Sequence, residues 1–229
     1  MNAAGRAGLG VLALLAAQAA FGHAVSDADA LFVERIDGPA VAPFLYLGAK
    51  HMVTGYDHLL FLVGVIFFLY RLRDVALYVT LFTAGHSITL LAGVLGGWQV
   101  NPWVIDAIIG LSIVYKAFEN LDGFRRVFGI APDTRAAVLV FGLFHGLGLA
   151  TKLQELVHSE NGLLVNIVSF NVGVELGQFT ALAAVLALLL FWRTRASFAR
   201  HAFATNVALM AGGFGLAGYQ LGGLFLAPA

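Results

Sequence analysis

Long apolar runs divide the chain at about residues 56–71, 75–96, 102–120, 136–153, 162–192 and 203–226. Most come close to the roughly 20 residues that an α-helix needs to cross a bilayer. The fifth is longer, and a helix of that length tilts or protrudes. The piece "APFLYLGAKHM" before Gly55 is also apolar. It either extends the first span or forms a half-helix that dips into the membrane and breaks at Thr54-Gly55. A break is expected, because one straight helix over 42–71 is too long for the bilayer. The pattern therefore predicts an all-α, polytopic membrane helix bundle of about six transmembrane helices, with a re-entrant half-helix before the first as one form of the break. No internal repeat, soluble domain, linker or low-complexity segment interrupts it.

Composition agrees. Of the 229 residues, 60% are hydrophobic and 11% charged, and mean hydropathy is +0.87. A soluble domain is nearer a quarter charged, so the lipid bilayer must be the main solvent of this chain. Net charge is zero and no basic face is large enough to neutralise several phosphates, which argues against a nucleic-acid partner. Cysteine is absent, so any metal site must use nitrogen and oxygen ligands.

The first residues read as a signal peptide over 1–22, with Arg6 before the apolar core "GLGVLALLAAQAAF". Cleavage after Gly22 or after Ala24 fits. The first is preferred and would leave His23 at the new N-terminus, where amine and imidazole together can chelate a metal. A short periplasmic segment, 23–41, then precedes a single transmembrane domain over 42–229. Arginines test this map. Arg71 and Arg73 follow span one, Arg125, Arg126 and Arg135 separate spans three and four, and Arg193, Arg195 and Arg200 separate spans five and six. The loops "GGWQVN" and "QELVHSENG" carry no Lys or Arg. Loop charge thus alternates as the positive-inside rule requires, which puts the arginines in the cytoplasm and both mature termini outside.

Ionisable groups inside a bilayer cost several kcal/mol unless paired or wet, and are functional candidates by default. "HMVTGYDHLLFL" places His51, Asp57 and His58 at the outer end of span one, or deeper if the preceding segment re-enters. Span two holds Thr83, His86 and Ser87, and span four holds His145. Span five holds Asn171, Glu175 and Gln178 at i, i+4 and i+7, on one helix face that cannot look at lipid. At about 1.5 Å per residue, His86, His145 and Glu175 fall near mid-membrane. His51, Asp57, His58, His86, His145 and Glu175 are therefore the candidate ligands of one polar cavity open to the outside. Ser87, Asn171, Gln178 and His23 are supporting or pathway groups. Imidazole and carboxylate without sulfur suit a divalent transition metal ion such as Ni, Co or Zn. Asp57 and His58 point about 100° apart on a helix, so Asp57 serves either as a ligand or as the group that fixes a histidine tautomer. Asp106 is expected to serve the N-terminus of span three. Lys116 and Glu119 are expected to snorkel toward the cytoplasm, and His158 and His201 to be solvated in loops.

"HMVTGYDHLLFL" resembles the His-x5-Asp-His signature of the HupE/UreJ family of nickel-permease-like membrane proteins. "FTAGHSITL", "GLFHGLGLA" and "FNVGVELGQ" are similar to the companion motifs of one branch. The resemblance implies a bacterial inner-membrane protein with a cleaved signal, about six helices and a role in nickel or cobalt uptake. It also implies that His51, Asp57 and His58 form a first metal motif and His145 belongs to a second. Members tied to hydrogenase and urease carry a second motif like Phe-His-Gly-x-Ala-His-Gly-x-Glu. Here Phe144-His145-Gly146 is kept, but Gly148-Leu149-Ala150 follows, and the second His and the Glu are missing.

Three functions fit these residues. A metal permease would be passive, potential-driven or proton-coupled, since there is no ATP-binding motif. An intramembrane zinc hydrolase would use the histidines as ligands and Glu175 as base, although no HExxH-type pair is present. An accessory subunit would exchange metal with a periplasmic donor or acceptor protein, and His23 would matter most there.

Overall fold

The computed structural model describes residues 36–156 and 161–226. The expected signal peptide over 1–22, His23 and His158 lie outside them. Among the described residues there are eight helices and no strand: α1 (Val41–Thr54), α2 (Tyr56–Ile66), α3 (Leu72–Leu95), α4 (Pro102–Asn120), α5 (Gly123–Phe128), α6 (Thr134–Leu156), α7 (Leu163–Arg193) and α8 (Ala196–Leu226). By length and composition α3, α6 up to Gln154, α7 and α8 can each cross a membrane. With α4 and the α1–α2 pair they make the all-α membrane bundle that the apolar pattern predicts.

The first leg of the bundle is interrupted. Gly55 separates α1 from α2, at ψ 84°, and its N–H donates to the His51 carbonyl at 2.7 Å. A Cβ at this position would lie 2.9 Å from that carbonyl and 3.2 Å from His58 Nδ1, so the break also needs a residue without a side chain. Helix α7 holds both ends of the leg. At the start, the Ala40 N–H donates to Asn166 Oδ1 at 2.7 Å, and Asn166 Nδ2 donates to the Gly38 carbonyl at 3.0 Å. At the finish, the Arg193 guanidinium donates to the carbonyls of Ile66, Phe67 and Leu69 at 2.6, 2.7 and 2.8 Å. Between these anchors α1 and α2 advance in the same direction as α7. They form one crossing with its backbone opened in the middle, and α1 is the half that extends the first span. Such a break is tolerated at membrane depth only where protein or a polar cavity covers it.

The helices associate in close pairs, α1 with α7, α3 with α6 and α4 with α8. Glycine allows each approach: a Cβ on Gly173 would strike the Leu45 carbonyl, one on Gly146 the His86 carbonyl, and one on Gly110 the Ala217 amide. Without a hydrophobic drive between helices in lipid, such small-residue contacts supply much of the packing. Gly146→Ala is expected to cost about 1–3 kcal/mol, the usual range for overpacking. Thermal unfolding in detergent measures it, and Gly212→Ala, where a Cβ meets open space, should leave the transition unmoved.

Local signals explain the helix ends. Asn101 caps α4, its side chain accepting from the Trp103 and Val104 amides, and Pro102 occupies the first turn where its missing N–H costs nothing. Asp106 was expected to serve this N-terminus and does not; it pairs with Lys152 on α6. Lys116 does not snorkel outward either. It is buried and ion-paired at 2.9 Å with Glu119, which also accepts the Thr134 hydroxyl. His201 sits on α8 rather than in a loop, and is exposed as expected. The arginines between spans gather at one end of the bundle, where α2, α4 and α7 finish and α3, α6 and α8 begin.

Candidate metal centre

The break at Gly55 sets the site. It carries His51 on the last turn of α1 and Asp57 and His58 on the first turn of α2, into the middle of the bundle rather than its outer end. His145, the central residue of α6, and His86 on α3 arrive at the same level. The His58 ring is the hub. Its centroid lies 4.8 Å from His145, 5.3 Å from His51 and 5.8 Å from His86. Four helices thus contribute one imidazole each.

The tautomers follow from the neighbours. His58 Nδ1 is 3.0 Å from Asp57 Oδ1, and His145 Nδ1 is 2.7 Å from the Phe141 carbonyl. Carboxylate and carbonyl oxygens accept, so Nδ1 carries the proton in both rings and Nε2 offers its lone pair. Asp57 accordingly orients His58, one of the two roles its sequence position allowed. His58, His86 and His145 are 4%, 2% and 0% exposed. Among the described residues, His58 Nε2, His145 Nε2 and both nitrogens of His86 have no hydrogen-bond partner. A buried polar atom left unsatisfied costs about 1–3 kcal/mol, and a buried ring lone pair can be satisfied only by a hydrogen-bond donor or a cation.

A cavity of about 20 Å³ adjoins the rings, lined by His51, Gly55, Asp57, His58, Asp106, Ile109, His145, Gly148, Leu149 and Lys152. That is room for one water-sized species. Among the described residues no three His, Asp or Glu side chains converge closely enough to hold an ion as they stand, so ligation requires the rings to turn on their χ angles. In donor chemistry the residues fit a divalent metal: neutral imidazoles, a carboxylate in support and no sulfur.

The span-five residues divide. Asn171 Nδ2 donates to Ser87 Oγ at 3.0 Å and Gln178 Nε2 to Thr83 Oγ1 at 2.9 Å, which ties the polar face of α7 to α3. Glu175, between them, is half-buried. Toward the arginine-bearing end the rings rest on aromatic side chains. Phe61 and Phe82 lie 5.4 and 5.0 Å from His145, and Phe61 packs on Phe141, which packs on Tyr115. The Lys116–Glu119 pair lies beyond them.

Sequence reasoning missed the Asp106–Lys152 pair on the other side of the cavity. Lys152 Nζ is 2.8 and 3.1 Å from the two Asp106 oxygens. A signal existed: Lys152 follows His145 by seven residues and so shares its face of α6. It also stands where the glutamate of the hydrogenase- and urease-linked motif would fall if that motif is laid on from Phe144.

A family model described as HupE / UreJ protein matches residues 27–226. No curated protein and no solved structure matches. That match spans all eight helices and every residue of the histidine cluster, and the chain belongs to the HupE/UreJ family.

Proposed function

We propose that this protein binds a divalent transition metal at the four-histidine cluster and carries it across the bacterial inner membrane as a permease. Nickel or cobalt is the cargo that the family resemblance favours. The carrying observation is the meeting of four imidazoles from four helices at a break in a membrane span, with buried ring nitrogens on His58, His86 and His145 that lack hydrogen-bond partners among the described residues. Discontinuous helices are the usual way for a membrane protein to build an ion site at mid-depth. The arginine-bearing end would face the cytoplasm, leaving both mature termini periplasmic. A dication moving inward would gain about 4.6 kcal/mol per 100 mV of membrane potential, enough to drive uptake without ATP.

The aromatic floor beneath His145 favours a second reading. A site closed on the arginine side and reached from the other would hold metal for a periplasmic donor or acceptor protein. The hydrolase reading has less support, because the chain carries no HExxH-type pair that would set two zinc ligands and a base on one helix. Proteoliposomes separate these functions. With an inside-negative potential, the permease predicts saturable Ni(II) or Co(II) influx at least tenfold above protein-free vesicles. Stoichiometric binding with no influx would instead favour the accessory role.

A further inference from the structure

We propose that Lys152 is the resting counter-cation of the metal centre. Its ammonium holds the charge position that a divalent ion takes over, and its departure from Asp106 opens the cavity from the end opposite the arginines. This inference rests on the metal-binding reading above.

Geometry carries it. Asp106 and Lys152 line the same 20 Å³ cavity as His51, Asp57, His58 and His145. The ammonium lies 2.8 and 3.1 Å from the two Asp106 oxygens, so it engages the whole carboxylate. Asp106 is 7% exposed at its side chain and Lys152 23%. The acid is therefore buried in the wall, while the lysine reaches it from a wetter rim. Lys152 stands two turns beyond His145 on the same face of α6, directly on the approach from that end.

Charge counting gives the pair a function. With neutral imidazoles, the lining holds two carboxylates, Asp57 and Asp106, and one ammonium. A dication added beside Lys152 would leave an unbalanced positive charge in a low-dielectric cavity, which is strongly disfavoured. With Lys152 withdrawn, the two carboxylates balance the two charges of the metal. The long lysine stem can swing its head to the interface without moving α6. A mere staple between α4 and α6 would not need to line the donor cavity.

The purified full-length protein in detergent tests this, with Ni(II), Co(II) and Zn(II) each titrated alone. Lys152→Met should tighten binding at least tenfold. Lys152→Arg, which keeps the charge, should stay within about threefold of wild type, and Asp106→Asn should weaken binding at least tenfold. In the wild-type protein, metal should raise amine acylation of Lys152 relative to Lys50, read by mass spectrometry, and this readout needs no variant to fold. Unchanged labelling, or a folded Lys152→Met that binds no tighter than a metal-binding wild type, would overturn the exchange alone. A wild type that binds none of the three metals overturns the metal centre, and this inference with it.

Discussion

His58→Ala is expected to strip the protein of bound metal, weakening Ni(II) or Zn(II) affinity by about 100-fold or more. Its ring is the one that lies against all three other histidines, at 4.8, 5.3 and 5.8 Å. No remaining pair replaces that convergence. Loss of a group that merely orients a ligand costs about 10–100-fold in affinity, and loss of the ligand itself must exceed it. Asp57→Asn supplies the internal comparison. It keeps a side chain of the same shape beside His58 Nδ1 but removes the charge that fixes the proton there, so a loss of about 10–100-fold is expected. His201→Ala, exposed on α8, should bind as wild type. Equilibrium dialysis with metal analysis gives all three values. An undiminished affinity in a folded His58→Ala would mean that the cluster is ordinary interhelical packing.

The apolar runs announced the bundle because a span must be long and apolar whatever it packs against. The break at Thr54-Gly55 was legible for a similarly local reason: the apolar stretch was too long, and glycine stood in its middle. Depth was only partly legible. His51 precedes the run at 56–71 and Asp57 and His58 open it, so counting from its start put them at the outer end, and deeper only if the preceding segment entered the membrane. In the structure α1 supplies the other half of the crossing and α2 stops at Ile66, which moves the same residues to the centre.

Partner choice was not legible either, since it depends on how helices turn about their axes. Asn171, Glu175 and Gln178 do share a face, as their spacing required. That face meets the hydroxyls of Thr83 and Ser87 through Asn171 and Gln178, contacts that spacing along one helix could not name. Asp106 and Lys152 are 46 residues apart and meet only because α4 packs beside α6. The same contact logic turns Lys116 inward: its stem covers Gly64 on α2, and its buried ammonium takes Glu119 in place of water.

Arg193→Ala is expected to destabilise the protein by about 3–5 kcal/mol and to loosen the metal centre from a distance. The reason lies in the half-helix α2, only 11 residues long. Its last carbonyls lie beyond the helical ladder, although that of Ile66 also accepts from the Leu69 N–H at 3.0 Å, and in a membrane bundle water is not freely available to replace a lost donor. Arg193, at the far end of another helix, donates to three carbonyls there, those of Ile66, Phe67 and Leu69. Hydrogen bonds to a charged group contribute roughly 1.5–3 kcal/mol each, and a cation at a helix C-terminus also meets the negative end of its dipole. The sum is reduced because the residue is only half-buried and its buried Nε has no hydrogen-bond partner among the described residues. Lysine should recover a minor part, since an ammonium cannot fork to three acceptors as a planar guanidinium does. Arg195→Ala is the matched control: its guanidinium lies over the exposed Phe191 ring at 4.7 Å, and a shift within about 0.5 kcal/mol is expected. Because α2 bears Asp57 and His58 on its first turn, freeing its last turn should also raise the metal Kd. Loss of stability with an unchanged Kd would mean that the α1–α7 contact alone positions the break.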